Sequence, residues 1–284
     1  MPELPEVETV MRGLRPSLEG RLFRKVIQRR DKLRFPLPEN FAQRITGRRV
    51  VKLARRAKYV LIYLDDGMVF FFHLGMSGRM TILPRVTSGE QRPDLDPHDH
   101  VIFETDEGEE IRYCDPRRFG MMDLVAEADL FQHKAFRDIG PEPLGNGFNG
   151  PIFSDRLKNK KNSIKAALLD QRVVAGIGNI YACEALYLSR ISPERSAGSV
   201  QGAEADLLAT TIKSVLTRAI EAGGSSLRDY VQATGELGYF QHSWAVYGRE
   251  GEPCRQCGEE TEASVITRVQ QSGRSTFFCP GCQH

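Results

Sequence analysis

Four of the six cysteines fall in two C-x-x-C pairs, Cys254/Cys257 and Cys279/Cys282, with 21 residues between the pairs, at the end of a 284-residue chain. No other feature constrains the fold so strongly. Four thiolates at this spacing can close a tetrahedral zinc site, which fixes two turns and the segment joining them. Turn-forming Gly258, Pro280 and Gly281 stand in the two halves. Between them Val265-Ile266-Thr267-Arg268 and Ser275-Thr276-Phe277-Phe278 alternate as a β-hairpin does. Paired C-x-x-C units in a reducing compartment read as metal ligands before disulfides. Four sulfur ligands leave no open coordination position, so the pattern predicts one structural Zn2+ and neither a catalytic metal nor an organic cofactor. Arg274, beside Gly273, is placed for the hairpin turn to present to a partner. Cys114 and Cys183 stand alone.

The start of the chain reads as a helix over residues 3–19, with Val7, Val10, Met11 and Leu14 on one face, Pro5 in the first turn and Gly20 as its stop. Residues 21–125 change character. Tyr59–Tyr63 and Met68–Phe72 are apolar runs separated by Asp65-Asp66-Gly67, a hairpin pattern, and further strand-like runs occur at 100–104 and 111–113. These features predict an antiparallel β-sandwich behind an N-terminal helix. The polar stretch from Pro84 to Pro97, with Pro93 inside it, reads as a mobile loop. Residues 140–147 are dense in turn formers and mark a domain boundary. Helical periodicity returns at 203–222, where Leu207, Leu208, Ile212, Val215, Leu216 and Ala219 recur before Gly223-Gly224. The expected organisation is α+β in two domains: a β-sandwich domain over 1–140, a linker over 141–150, a helical domain over 151–245, and the zinc hairpin over 246–284.

The net charge of +2 is too mild to require a nucleic-acid partner, although a local basic face can hide inside a balanced total. No apolar run approaches the length of a membrane span. The opening Glu3, Glu6 and Glu8 are the opposite of a basic signal peptide. A soluble cytoplasmic protein is expected.

Three further segments can carry chemistry. Lys158 to Lys165 contains four lysines and precedes Gly176-Ile177-Gly178-Asn179, so a helical hairpin with a glycine turn would offer N–H groups and basic side chains to a phosphate. Met76, in Gly75-Met76-Ser77-Gly78, and Phe119, in Asp115-Pro116-Arg117-Arg118-Phe119-Gly120, could wedge between bases while Arg117 hydrogen-bonds a base edge. Singly, Met76 and Phe119 read more simply as core, and Arg117 as the ion-pair partner of Asp115. At the N-terminus, removal of Met1 would expose the amine of Pro2. Such an amine titrates near pH 8 and can attack an anomeric carbon, with Glu3 beside it to move protons. The plainer reading of Pro2-Glu3 is a helix start with carboxylates favoured by the macrodipole.

Taken together, these segments resemble the formamidopyrimidine-DNA glycosylase family along essentially the whole chain. The motifs that carry the resemblance are MPELPEVETV at the start, RRAKY at 55–59, HLGMSG at 73–78, PHDH at 97–100, DPRRFG at 115–120, GIGNIY at 176–181, VYGREGEPC at 246–254 and GRSTFFCPGC at 273–282. The resemblance implies a helix-two-turn-helix module in the helical domain. It also implies a monomeric bacterial base-excision-repair enzyme that removes oxidised purines from duplex DNA and cleaves the abasic strand by β,δ-elimination. It assigns Pro2 as Schiff-base nucleophile, Glu3 as proton donor and Glu6 to the same pocket. Lys58 would engage a phosphate and assist β-elimination, and Arg274 would assist δ-elimination. Met76, Arg117 and Phe119 would fill the gap left by the flipped base, with Arg117 facing the orphaned cytosine. His98, Lys160, Lys165 and Asn179 would hold the backbone, and the segment near 223–240 would cover the flipped base. The stretch 84–99 departs from the family, being longer and more polar than in its compact members.

Two other functions fit parts of the pattern. The related endonuclease VIII group, which acts on oxidised pyrimidines, usually has Gly where this chain has Leu4, so Leu4 favours purine lesions. A non-enzymatic zinc-finger protein that binds DNA structures would explain the cysteines and the wedge, but not Pro2-Glu3 together with Lys58.

Overall fold

A computed structural model of the chain describes residues 1–87, 91–225, 238–257 and 265–284. The residues form two compact units, one of 1–137 with 222–239 and the other of 138–221 with 240–284.

The first unit opens with α1 (Leu4–Leu18). Glu6 reaches back three positions to take the N–H of Glu3 at 2.8 Å, satisfying a donor that the helix start leaves orphaned. Then come β1 (Phe23–Gln28), the short α2 (Phe41–Ile45), β2 (Val50–Arg56), β3 (Tyr59–Leu64), β4 (Met68–His73), β5 (Arg79–Leu83), β6 (Asp99–Thr105), β7 (Glu110–Cys114) and β8 (Met121–Ala126). They make two four-stranded antiparallel sheets, ordered β1-β6-β7-β5 and β2-β3-β4-β8. The β3–β4 hairpin pairs Tyr59 with His73 and Tyr63 with Val69 around the 65–67 turn.

The run Met68–His73 does not alternate because both of its faces are covered. Phe70 and Phe72 face the core with Phe103, whereas Phe71 points outward and packs edge-on against Phe136 at 4.8 Å. Val7, Val10, Met11 and Leu14 of α1 enter the same core as Phe70, Phe72 and Phe103. Each such side chain contributes roughly 1.5–3 kcal/mol on burial, which is what holds the N-terminus against the sandwich.

In the stretch read as a mobile loop, residues 88–90 lie outside the described residues. The part after them is tied down. Arg92 donates to Glu110 at 2.5 Å, and Arg112 donates to the carbonyls of Pro93 and Asp94 at 2.8 and 2.9 Å.

The second unit contains α3 (Gly150–Leu157), α4 (Ile164–Leu169), α5 (Asn179–Leu188) and α6 (Ala203–Glu221), followed by the hairpin β9 (Thr267–Gln271) and β10 (Arg274–Phe278). Helix α6 follows its predicted periodicity except at Leu207, which is half exposed rather than part of the core. The expected separate zinc module shares one core with the helices: Cys254, Ile266, Phe277 and Cys279 pack with Cys183 and Tyr187 of α5. Buried Glu184 reinforces this joint by accepting from the N–H groups of Ala245, Val246 and Tyr247 at 2.8, 3.0 and 2.9 Å. Burial raises the pKa of Glu184 and the three N–H donors counter the shift. The boundaries expected at 140 and 150 differ from the observed division after 137. Residues 222–239, expected in the helical domain, belong to the first unit.

Candidate active site

In the first unit, Pro2, Glu3, Glu6 and Lys58 are all buried. Titratable groups are seldom so enclosed without a specific cause. The local cause is the docking of α1. Glu8, one turn beyond Glu3, pairs with Arg55 of β2 at 2.8 Å, with both side chains largely buried. Arg55 also donates to the carbonyl of Ala57 at 2.9 Å. Ala57 takes a left-handed φ of 52°, and Ala57-Lys58 forms the tight connection between β2 and β3. One ion pair thus fastens the start of α1 to the turn that carries Lys58.

Tyr59 continues from that turn and stacks edge-on against His73 at 4.9 Å. His73 Nδ1 accepts the N–H of Gly75 at 2.9 Å, so its proton resides on Nε2. Burial, and after it the positive charges of Lys58 and Arg34, together lower its pKa to about 4. At neutral pH His73 is therefore a neutral N–H donor beside a cation. Sequence reasoning passed over it, although it opens the HLGMSG motif. The other side of α1 is held from the far end of the unit, where the N–H of Ser225 donates to Glu6 at 2.8 Å. The segment read as a cover for the flipped base lies, at 226–237, outside the described residues.

Met76, Arg117 and Phe119 come together on two adjoining turns. The plainer readings of these residues do not hold. Phe119 is 46% exposed and therefore not core. Arg117 does not pair with Asp115, which is fully buried, and instead lies over the Phe119 ring at 4.9 Å. Met76 is half-buried beside them. His98 is exposed at the root of β6, where its N–H donates to Asp96 at 2.7 Å.

A basic loop over 29–36 adjoins the same turns through the N–H of Arg34, which donates to the carbonyl of Gly120 at 3.0 Å. Phe35 is exposed, with Arg34 and Lys134 over its ring at 5.5 and 5.7 Å. Among the described residues, Arg30, Lys32, Arg34, Arg117, Arg118 and Lys134 form no ion pair with a carboxylate. The mild total charge thus conceals a local excess of cations. The signal was present in sequence as Arg29-Arg30-Asp31-Lys32-Leu33-Arg34-Phe35.

In the second unit, Asn159 adopts a left-handed φ of 63° between exposed Lys158 and half-buried Lys160. Lys165 corrects an expectation. It is 1% exposed, and its ammonium donates to the carbonyl of Ser275 at 3.1 Å and to Thr276 Oγ1 at 2.6 Å. A buried ammonium is stable only with such partners, so its charge is spent inside the fold rather than on a phosphate. Asn179 joins it, donating from Nδ2 to the same Ser275 carbonyl at 2.9 Å. Two residues expected to hold DNA therefore grip the strand that begins at Arg274. Arg274 itself is exposed, following the left-handed pair Ser272 and Gly273 with φ of 49° and 73°.

The four cysteines have their sulfurs within 4.8 Å of one another. Cys254–Cys282 and Cys257–Cys279 are 3.9 and 3.4 Å apart. A tetrahedron with metal–sulfur bonds of about 2.3 Å needs sulfurs about 3.8 Å apart. All four are free thiols, so the set fits a structural metal. Gly258 lies outside the described residues.

The family model for the formamidopyrimidine-DNA glycosylase N-terminal domain matches residues 1–122, and that for the family's H2TH domain matches residues 139–231. This chain belongs to the formamidopyrimidine-DNA glycosylase family. Curated formamidopyrimidine-DNA glycosylases are similar along the full length: 51% identity for that of Ruegeria pomeroyi, with all of both chains covered, and 55% for that of Rhodospirillum centenum, with 99% of each covered. The MutM (Fpg) protein of Thermus thermophilus superposes with a TM-score of 0.86 at 40% identity, covering 99% of this chain and 98% of that one. The Lactococcus lactis Fpg in complex with DNA containing an abasic site superposes with a TM-score of 0.86 at 32% identity, covering 99% of each chain. The chain has the fold that the resemblance to this family implies: a helix-fronted β-sandwich, an H2TH helical region and a C-terminal cysteine cluster.

Proposed function

We propose that this glycosylase removes oxidised purines from duplex DNA and then cuts the strand, with the amine of Pro2 as its nucleophile. The activity class, a DNA glycosylase with abasic-site lyase activity, follows from family membership. The observation that carries the residue assignment is the burial of Pro2, Glu3 and Glu6 at the start of α1 and of Lys58 in the turn that the Glu8–Arg55 ion pair fastens to that helix. A base must leave the helical stack before it can be attacked. Met76, Arg117 and Phe119 fill the space it vacates, with Arg117 facing the unpaired base. Lys58 and neutral His73 offer donors to a phosphate on the same side, and the 29–36 loop adds charge around the wedge. His98, Lys160 and the start of α5 at Asn179 supply further backbone contacts.

With Met1 removed, Pro2 nitrogen attacks C1′ and the glycosidic bond breaks. Glu3 supplies a proton as the base departs, and the opened sugar remains on Pro2 as an iminium. The iminium acidifies C2′. Loss of a C2′ proton expels the 3′ phosphate, a second elimination expels the 5′ phosphate, and hydrolysis frees the amine. The resemblance gives Lys58 a part in the first elimination and Arg274 in the second. Cys254, Cys257, Cys279 and Cys282 would hold one Zn2+, which would stabilise the hairpin and take no part in these steps.

The resemblance favours this reading over one acting on oxidised pyrimidines, because the endonuclease VIII group usually has Gly where this chain has Leu4. Borohydride trapping on a duplex containing 8-oxoguanine tests the proposal. A covalent adduct is expected through Pro2, with none from a chain that retains Met1. A Pro2→Gly variant that excises and traps as well as the unsubstituted protein would refute the nucleophile.

A further inference from the structure

We propose that Asp115 is the positioning residue of the wedge, holding turns 74–78 and 115–120 as one preformed unit that governs discrimination of the base opposite the lesion. The inference rests on the proposed role of Met76, Arg117 and Phe119.

Asp115 is 0% exposed, and no lysine or arginine pairs with it among the described residues. Its lone pairs are met by neutral donors from three places in the chain. Ser77 Oγ donates to Oδ1 at 2.7 Å, and the N–H of Gly120 and the hydroxyl of Tyr113 donate to Oδ2 at 2.8 and 3.2 Å. Its carbonyl accepts the N–H of Arg118 at 3.1 Å and lies 2.9 Å from His100 Nε2. A buried carboxylate is costly unless fully hydrogen-bonded. An apolar residue would fill the volume without that cost, so the charge is explained by the geometry it enforces.

Ser77 is the link between the turns. Its hydroxyl donates to Asp115 and also accepts the N–H of Arg117 at 3.2 Å. Two glycines permit the close approach. A Cβ on Gly75 would run into the Phe119 backbone, and one on Gly120 would strike the Tyr113 hydroxyl. The inward side of both turns is thus fully engaged, and Arg117 and Phe119 are left exposed with Met76 half-buried beside them. Ordering such side chains only on binding would oppose association entropically. A preformed pair of turns avoids that cost and holds Arg117 in one position. A loosened pair could still fill the gap, but it would do so opposite any base. Discrimination should therefore fail before affinity does.

The test uses the full-length protein and its Ser77→Ala and Ser77→Thr variants. Two readouts are taken: hydrogen–deuterium exchange of peptides spanning 74–78 and 115–120, and single-turnover excision of 8-oxoguanine opposite C and opposite A. In Ser77→Ala both peptides should exchange faster, and the ratio of the two excision rates should fall about tenfold, the scale of one lost hydrogen bond. Cleavage of a preformed abasic site should stay within about twofold of the unsubstituted rate, and Ser77→Thr should restore the ratio. An unchanged ratio in Ser77→Ala, or unchanged exchange in both peptides, overturns the proposal. The exchange readout needs no activity, so failure of the unsubstituted protein to excise would refute the proposed function and leave the clamp to be judged by exchange.

Discussion

Glu6 and Ser225 stand 219 positions apart and are joined by a 2.8 Å hydrogen bond from the Ser225 N–H to Glu6 Oε1. The other carboxylate oxygen takes the N–H of Glu3. One buried side chain thus ties the start of α1 to the residue from which the 226–237 segment departs.

A Glu6→Gln substitution keeps the volume and leaves a single acceptor oxygen for two donors. Base excision should slow by about tenfold, the scale of one unsatisfied buried donor. Cleavage of a preformed abasic site should slow less, because no base needs to be held. Single-turnover kinetics on the two substrates check this.

Lys58 sits in a two-residue turn between paired strands. Lys58→Ala should weaken DNA binding and slow strand cleavage more than base release. Equal cleavage of 8-oxoguanine DNA by both proteins would remove Lys58 from the reaction.

Lys165 and Lys160 separate by salt dependence. A phosphate contact contributes about 0.9 to the slope of log affinity against log salt. Lys160→Ala should lower the slope by about that much. Lys165→Met should leave the slope unchanged while lowering Tm, because its ammonium bonds Ser275 and Thr276.

His73 gives a pH signature. Its folded pKa of about 4 lies below the ordinary 6.5, so as pH falls the unfolded chain takes up the proton first. The stabilisation is complete above pH 6.5 and is lost as pH falls toward 4. Urea midpoints of His73→Gln should therefore decline less between pH 7 and pH 4.5 than those of the unsubstituted protein.

Cys279 is both a candidate metal ligand and part of the core with Tyr187 and Cys183. Cys279→Ser, or a strong chelator, should release one equivalent of zinc, lower Tm and weaken DNA binding. Metal analysis and thermal unfolding in parallel read both effects.

Much of the fold was legible because its signals are local. The β3–β4 hairpin announced itself by two apolar runs around Asp65-Asp66-Gly67, and α1 by its stripe of Val7, Val10, Met11 and Leu14. The cysteine spacing predicted a cluster whose sulfurs do converge. Capping, turn chemistry and periodicity act over a few residues, so sequence alone determined these elements and offered Pro2 and Glu3 as candidates, while Lys58 was assigned only through the resemblance to the family.

What sequence could not decide was which partner each polar side chain would choose. Lys165 reads as one more cation in a basic run, yet it is buried against a strand 110 positions away. Asp115 reads as the natural ion-pair partner of Arg117, yet it holds Ser77, Gly120 and Tyr113 while Arg117 lies over Phe119. A hydrogen bond between distant residues leaves no periodicity in the chain. It is set by the packing of α1 on its sheets and of β10 on α4 and α5, and only the tertiary structure fixes that.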